Sequence, residues 1–297
     1  IRRDLADKGI AVDLIHAHKM TVDGLVAHDL HRALGVPYVC SIWGDTDLKI
    51  IAGRPDLAKR WRAILREAAR VLPVAPWTAD RFCRDHGLDP GKVELLLPIV
   101  GHESFTPPRL SPEPRLVTLF NLDAYRRKNL PGLVRAVVAA SEIHPDLTLD
   151  IYGSGNAETL CEIDALIRAA GAQARVRLRG RLPDGAFEQT LNGYTAFVMP
   201  TARETFGMVF VEALFCGLPV LYTRGWSIDG LFPAERIGYA WDGASSGDIA
   251  KGLLHLIANE AALKRSLAAL AEAGEFDKLK RAAILTGYAR VLAECAR

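Results

Sequence analysis

Short apolar runs alternate with amphipathic segments along nearly the whole chain, and this rhythm limits the fold more than any other feature. Apolar runs of strand length at residues 12–16, 38–42, 70–73 and 93–97 are separated by helix-period segments at 22–34, 57–69 and 76–86. Strands spaced by helices need crossover connections, so the pattern predicts parallel βαβ units. Residues 98–114 break the rhythm with Pro98, Pro107, Pro108, Pro112 and Pro114, as a stiff linker would. The alternation then restarts, with strands at 115–120, 147–152, 176–179, 196–199 and 219–223. Helices are expected at 129–143, 157–170, 184–192, 205–215, 246–259, 260–271 and 276–296, and a short helical piece at 1–8. The expected class is α/β, with two Rossmann-like doubly wound domains. The expected extents are 1–108, 109–275 and a terminal helix over 276–297.

A chain of 297 residues has length enough for two cores. A net charge of only +2 gives no electrostatic footprint for nucleic acid. No apolar run is long enough to cross a bilayer, which leaves room for peripheral membrane contact. The five cysteines are scattered and form no CxxC pair, which argues against zinc and a disulfide framework. A reducing, cytoplasmic setting is the expectation. The chain opens on Ile1 and reads as a fragment.

In open parallel sheets ligands bind beyond the carboxyl ends of strands. That directs attention to the loops after Phe120, Tyr152 and Met199, and after His16 and Ile42. Gly153-Ser154-Gly155 follows one strand and would let a nucleotide approach the backbone, or simply make a tight turn. Arg126-Arg127-Lys128 follows another, and its cations suit a departing diphosphate or only a solvated loop. Glu204 stands just before a predicted helix whose first turn, Thr205 to Met208, would present free amides to a phosphate. Glu212 lies in that apolar helix and must find polar partners, either sugar hydroxyls or a protein group. Asp45-Thr46-Asp47 spells D-x-D, but such a triplet arises by chance in a chain this acidic, and no metal site is read from it.

Glu204 through Glu212, followed by Ala213-Leu-Phe-Cys-Gly217-Leu-Pro219, resembles the E-x7-E signature of family 4 glycosyltransferases of the GT-B fold. Asp13-Leu-Ile-His16-Ala-His18, Lys92 to Pro98, Lys128-Asn129, Gly153 to Gly155, Gly180 and Pro200 follow in the same order. The resemblance implies that Lys128, with Arg126 or Arg127, contacts the donor diphosphate, that Glu204 contacts the transferred sugar and that Glu212 holds the ribose. It implies that the amides of Phe206, Gly207 and Met208 face the phosphate or sugar, and that Gly155 admits the nucleotide. Where the family usually has Arg, this chain has Asn121, and Trp43-Gly44-Asp45 stands where many members have His. His18 and Asp45 are the acceptor-side candidates. The family's first domain opens with further strands and a Gly-rich loop, so this one reads as incomplete, with an unprotected sheet edge.

The implied reaction is retaining transfer of a sugar from a nucleoside diphosphate sugar to an acceptor hydroxyl, on a saccharide, lipid-linked or small-molecule acceptor. No cofactor and no metal are expected. Two other readings stay open: a sugar-nucleotide 2-epimerase of the same architecture, and a non-catalytic nucleotide-sugar binder.

Overall fold

The computed structural model describes residues 2–183, 185–243 and 245–296. Its first elements are α1 (Arg2–Asp7), β1 (Ile15–Ala17), α2 (Asp23–Leu34), β2 (Tyr38–Ile42), α3 (Asp45–Gly53), α4 (Ala58–Glu67), β3 (Arg70–Pro73) and α5 (Pro76–His86). Then come β4 (Arg115–Leu119), α6 (Leu130–Ala140), β5 (Thr148–Tyr152), α7 (Ala157–Ala169), β6 (Val176–Gly180), α8 (Phe187–Leu191) and β7 (Ala196–Val198). The chain finishes with α9 (Met208–Phe215), β8 (Val220–Thr223), α10 (Ala234–Ile237), β9 (Gly238–Trp241), α11 (Ser246–Ala258), α12 (Glu260–Glu272) and α13 (Arg281–Cys295).

Two compact units emerge. One runs to Ile99 and takes in the chain from Arg281 onward; the other spans Val100–Lys280. The division precedes the 108/109 boundary expected from the prolines. The reason is that 101–108 is bound into the second unit: Thr106 N donates to Phe215 O at 2.8 Å and Asn192 Nδ2 to Pro107 O at 3.0 Å. Phe276 also belongs there, packed on Phe105, Phe215 and Phe232. The terminal helix therefore starts at Arg281 and not at 276.

In the first unit β1, β2 and β3 form a parallel sheet in that order. Alternation divides β2 between two cores. Tyr38, Cys40 and Ile42 pack with Trp61, Ile64 and Phe82 from α4 and α5, while Val39 joins Leu72 beneath Val291 and Cys295 of α13. Each such fully buried side chain contributes about 1.5–3 kcal/mol. Tyr38 also gives its hydroxyl proton to Ile64 O at 2.6 Å. Four expectations shift here. The strand at 12–16 becomes Ile15–Ala17, because pairing begins only where β2 supplies partners. The strand at 93–97 reduces to one bridge, Val71 to Val93, continued by Glu94 N to Val71 O and Leu96 N to Pro73 O. The helix at 57–69 stops at Glu67, because Ala68 turns to extended geometry. Residues 45–53, to which the periodicity assigns no element, form α3 behind Gly44, whose φ of 71° and crowding by Thr78 exclude a side chain.

In the second unit the parallel order is β6-β5-β4-β7-β8-β9. Counted from β4, this is the doubly wound 3-2-1-4-5-6 order, and its direction reverses between β4 and β7. Leu116, Val117, Leu149, Ile151, Phe197, Val198 and Leu221 make a sheet buried on both faces, covered by Leu133, Val137, Phe210 and Leu253 among others. The unit gains α10 and β9, which the periodicity did not reveal. β9 begins on Gly238, where a Cβ would sit 2.0 Å from Val220 O.

Candidate functional site

The loops after β4 and β7 meet where the sheet order reverses. Asn121 caps a 3-10 turn at Leu122–Ala124 by accepting from Asp123 N at 3.0 Å. Asp123 Oδ1 in turn accepts from Asn156 N at 3.0 Å, and Leu122 N donates to Ser154 O at 2.9 Å, which laces the β4 and β5 loops together. On the other side Thr201 Oγ1 donates to Arg127 O at 3.1 Å. Thr201 O then accepts from Thr223 Oγ1 at 2.5 Å. Main-chain and short polar groups thus hold the loops, which frees the longer side chains for a ligand.

Between these loops the Lys128 ammonium pairs with the Glu204 carboxylate, and the two side chains are only 12% and 14% exposed. Poor hydration strengthens their attraction, and each offsets the other's desolvation. Ser227 N donates to Glu204 O at 2.9 Å and fixes the backbone there. Gly207, at φ 70°, lets the chain fold back so that a Cβ would lie 3.0 Å from Glu204 Cγ and 2.7 Å from the Phe210 ring. The helix consequently begins at Met208 rather than at 205. Its first-turn amides start at Met208, that of Phe210 already donating to Gly207 O at 2.9 Å, and Phe206 and Gly207 belong to the approach. The Phe206 side chain is buried and that of Met208 is exposed.

A cavity of about 460 Å³ opens beyond the carboxyl ends of β4, β5 and β6. Asn121, Gly153, Ser154, Leu182, Phe187 and Glu212 are among its walls. Glu212 Oε1 accepts from Gly101 N at 2.9 Å. Gly153, with φ 146°, sits where a Cβ would be 2.0 Å from Phe120 O. Gly155 lies behind the wall, and its missing side chain accommodates Leu122 and Asp123. Leu182, Phe187 and Gly101 were not foreseen. For the first two the available signal was position, just past the third strand from the switch point.

The remaining candidates are dispersed. Arg126 turns to Glu162 on α7 at 3.1 Å and lies over the Tyr125 ring. The hydrogen bond from Tyr125, more than the Arg126 charge, holds the Glu162 carboxyl below the usual range. The Arg127 side chain is exposed. His18 and Asp45 belong to the first unit. Asp45 pairs with Lys49 at 2.5 Å. The buried Asp47 accepts from Thr21 Oγ1 and Trp43 N, each at 2.6 Å. Burial raises the Asp47 carboxyl against those hydrogen bonds. His18 stacks on His16 with ring centroids 4.1 Å apart. His16 shares hydrogen bonds with Tyr288 Oη at 2.5 Å and Ser41 Oγ at 2.9 Å. Burial first, and the charge of His18 second, lower its pKa to about 4. Among the described residues no helix is long and apolar enough to cross a membrane.

Comparison with known proteins agrees with this architecture. Residues 103–275 match the family model described as Glycosyl transferases group 1, and residues 1–103 that described as Glycosyltransferase Family 4. A D-inositol 3-phosphate glycosyltransferase 1 of Catenulispora acidiphila is 30% identical over 250 residues, covering 76% of this chain and 58% of the relative. A D-inositol 3-phosphate glycosyltransferase of Thermobifida fusca is 28% identical, covering 86% of this chain and 64% of the relative. The chain therefore spans about three-fifths of the length of these two relatives. Among solved structures, a lipopolysaccharide outer core galactosyltransferase superposes with a TM-score of 0.73 at 15% identity, over 99% of this chain and 78% of that one. Sucrose-phosphate synthase from Thermosynechococcus elongatus gives 0.72 at 19%, over 99% and 75%. At such identities the likeness concerns the fold, which is that of the GT-B glycosyltransferases. With more than half its length matched by one family model, the chain belongs to the family of glycosyl transferases group 1.

Proposed function

We propose that the protein transfers a sugar from a nucleoside diphosphate sugar to an acceptor hydroxyl, with retention of anomeric configuration and without a metal ion. The observation that carries this reading is the Lys128–Glu204 pair at the sheet's switch point, together with the Glu212-lined cavity at the same end of the sheet. In this reading the nucleoside occupies the cavity. Glu212, with Oε1 on Gly101 N, offers Oε2 to the ribose hydroxyls. The diphosphate takes the Lys128 ammonium, and the amides opening α9 supply further positive potential. Exposed Arg127 lies next to Lys128 in the chain and adds charge by approach. Arg126 already has Glu162 as its partner, so its part is the weaker one.

As the bond from the anomeric carbon to the leaving phosphate oxygen breaks, negative charge grows on the diphosphate. Fixed positive groups stabilise that charge without reorganising. Lys128 and the α9 amides supply the stabilisation a divalent cation gives elsewhere. Glu204, released from Lys128 by the phosphate, can accept from the hydroxyls of the sugar. Retention is proposed by attack on the face the diphosphate leaves, its phosphate oxygen taking the acceptor's proton. No enzymic nucleophile is then needed, and none is proposed. The glycosyltransferase names of the curated relatives, and the UDP carried by a solved Anabaena structure of the same fold, support the donor class.

The test is turnover with a panel of nucleoside diphosphate sugars and hydroxyl acceptors, in EDTA and in Mg²⁺, with the anomeric coupling of the product read by NMR. Inverted product ends the claim of retention. Activity lost in EDTA and restored by Mg²⁺ ends metal independence. An epimerised donor formed without acceptor would replace the transferase with the epimerase reading.

A further inference from the structure

The first unit carries a second cavity, of about 290 Å³, that the donor site does not use. It lies beyond the carboxyl ends of that unit's strands, where open parallel sheets take ligands. His18 follows β1, Trp43 follows β2 and Val74 follows β3, and all three line it. Leu96 and Ile99 form another wall, and Ile284 and Leu285 of α13 close it.

These walls are held in place by polar contacts set behind them. Trp43 Nε1 donates to His18 O at 2.6 Å, which pins the indole. Ser41, His16 and Tyr288 form a hydrogen-bonded row from β2 through β1 to α13. The depressed pKa of His16 keeps that row neutral near pH 7. The cavity is thus formed before any ligand arrives, so little ordering entropy opposes binding.

Its chemistry is one-sided. Apolar side chains dominate, and among the described lining residues there is no Lys, Arg, Asp or Glu. A phosphate or carboxylate there would find neither lysine nor arginine among the described lining residues, and a polyol would leave most of its hydroxyls unpaired. Trp43 and Leu285 are 44% and 48% exposed, an apolar surface that water covers poorly. Among the described lining residues, His18, Ser41 and Tyr288 carry polar side-chain atoms, and the Trp43 indole N–H is already engaged by His18 O. The volume is at the lower edge of ligand pockets, about 300 Å³ and upward, so it suits one apolar group rather than an oligosaccharide.

We infer that this cavity binds the uncharged, apolar part of an acceptor alcohol, a ring or a short hydrocarbon chain, and so selects such alcohols over phosphorylated polyols. The inference deepens the proposed transferase reading and rests on it for the word acceptor.

The probe is 2-phenylethanol, titrated into the purified chain by calorimetry and ligand-observed NMR, beside an inositol phosphate. Two variants act on the wall from half-exposed positions, Leu285→Glu and Trp43→Ala, with thermal melting to show that each folds. One saturable site for 2-phenylethanol is expected, weakened at least tenfold by Leu285→Glu, with no binding of the inositol phosphate. No saturable binding overturns the inference, as does unchanged affinity in both variants or preference for the inositol phosphate. The nucleotide arm is separate, since UDP, GDP and ADP are tested for their effect on melting. Variant-sensitive binding of 2-phenylethanol without any nucleotide response upholds the cavity's ligand class and sinks the transferase reading. A nucleotide response without alcohol binding does the reverse.

Discussion

Replacing Glu212 is the sharpest test of the proposed donor site, because its side chain has one observed and one proposed partner whose losses can be measured apart. Glu212 Oε1 holds the Gly101 N–H at 2.9 Å, and the proposed ribose takes Oε2. Gly101 is exposed, so water replaces the lost acceptor in Glu212→Ala. The stability cost should be near the lower end for a hydrogen bond, about 0.5–1 kcal/mol. Binding should suffer more. A carboxylate accepting from hydroxyls is charge-assisted and contributes about 1.5–3 kcal/mol. The dissociation constant of the cognate nucleoside diphosphate should therefore rise roughly 10- to 150-fold. Glu212→Gln can keep an acceptor for Gly101 and a neutral one for the ribose, so its loss should fall between. Calorimetry with the 2′-deoxynucleotide closes the cycle, since the deoxy change should cost affinity in the wild type and little in Glu212→Ala. Unchanged affinity in Glu212→Ala, or an equal deoxy penalty in both proteins, would remove Glu212 from the ribose.

Other consequences concern stability. His16, with its pKa lowered to about 4, stays neutral in the folded chain while the unfolded chain takes up a proton from pH 6.5 downward. Its contribution is complete above pH 6.5 and is lost as pH falls from there toward 4. Half-burial discounts the full shift to about 1–2 kcal/mol. Urea melts of His16→Gln against wild type should show that pH-dependent difference, and a flat difference would contradict it. Gly153→Ala, with φ 146° and a Cβ clash on Phe120 O, should cost about 2–4 kcal/mol in the same assay, and a neutral result would mean that the β5 loop is not so constrained. Lys264, only 2% exposed, donates to Tyr194 O at 2.7 Å and to Arg109 O, and pairs with Glu260 at 2.7 Å. Lys264→Met should lose about 2–4 kcal/mol, and adding Glu260→Gln should recover part of it; no recovery would mean that the unpaired carboxylate is not the cause.

The readable parts of this molecule are those decided locally. Strands β2, β3, β5 and β8 follow from apolar runs that fill a sheet, and the positions of Lys128, Glu204 and Glu212 follow from their places after strands and in a helix. Long-range geometry was not readable. The Gly101 amide reaches Glu212 across 111 positions of sequence, and Glu162, in an ordinary helix pattern, draws Arg126 aside. The start of α9 slipped for a physical reason also visible at Gly44: a glycine with positive φ ended one conformation and opened another. Residues 45–53 hid α3 because nine residues give little more than two turns in which an apolar period could show. β9 was missed because its four residues, Gly238 to Trp241, show too short an alternation to register.

Under the proposed function, the Lys128–Glu204 pair also bears on how a donor is told from its own product. Without ligand the two charges neutralise each other in a poorly hydrated crevice. In the proposed reading, a nucleoside diphosphate that claimed Lys128 would strip Glu204 of its cation and leave a carboxylate facing phosphate charge. The whole sugar nucleotide brings hydroxyls that can donate to that carboxylate, and the penalty is met from the ligand itself. Replacing Glu204 by Gln removes the repulsion and leaves a weaker acceptor for the sugar. Glu204→Gln should therefore bind the free nucleoside diphosphate about as well as wild type or up to tenfold more tightly, and bind the sugar nucleotide more weakly, a crossing worth about 1–2 kcal/mol. Calorimetry with both ligands reads it directly. Parallel losses for the two ligands would mean that Glu204 supports the fold of the loop and takes no part in distinguishing donor from product.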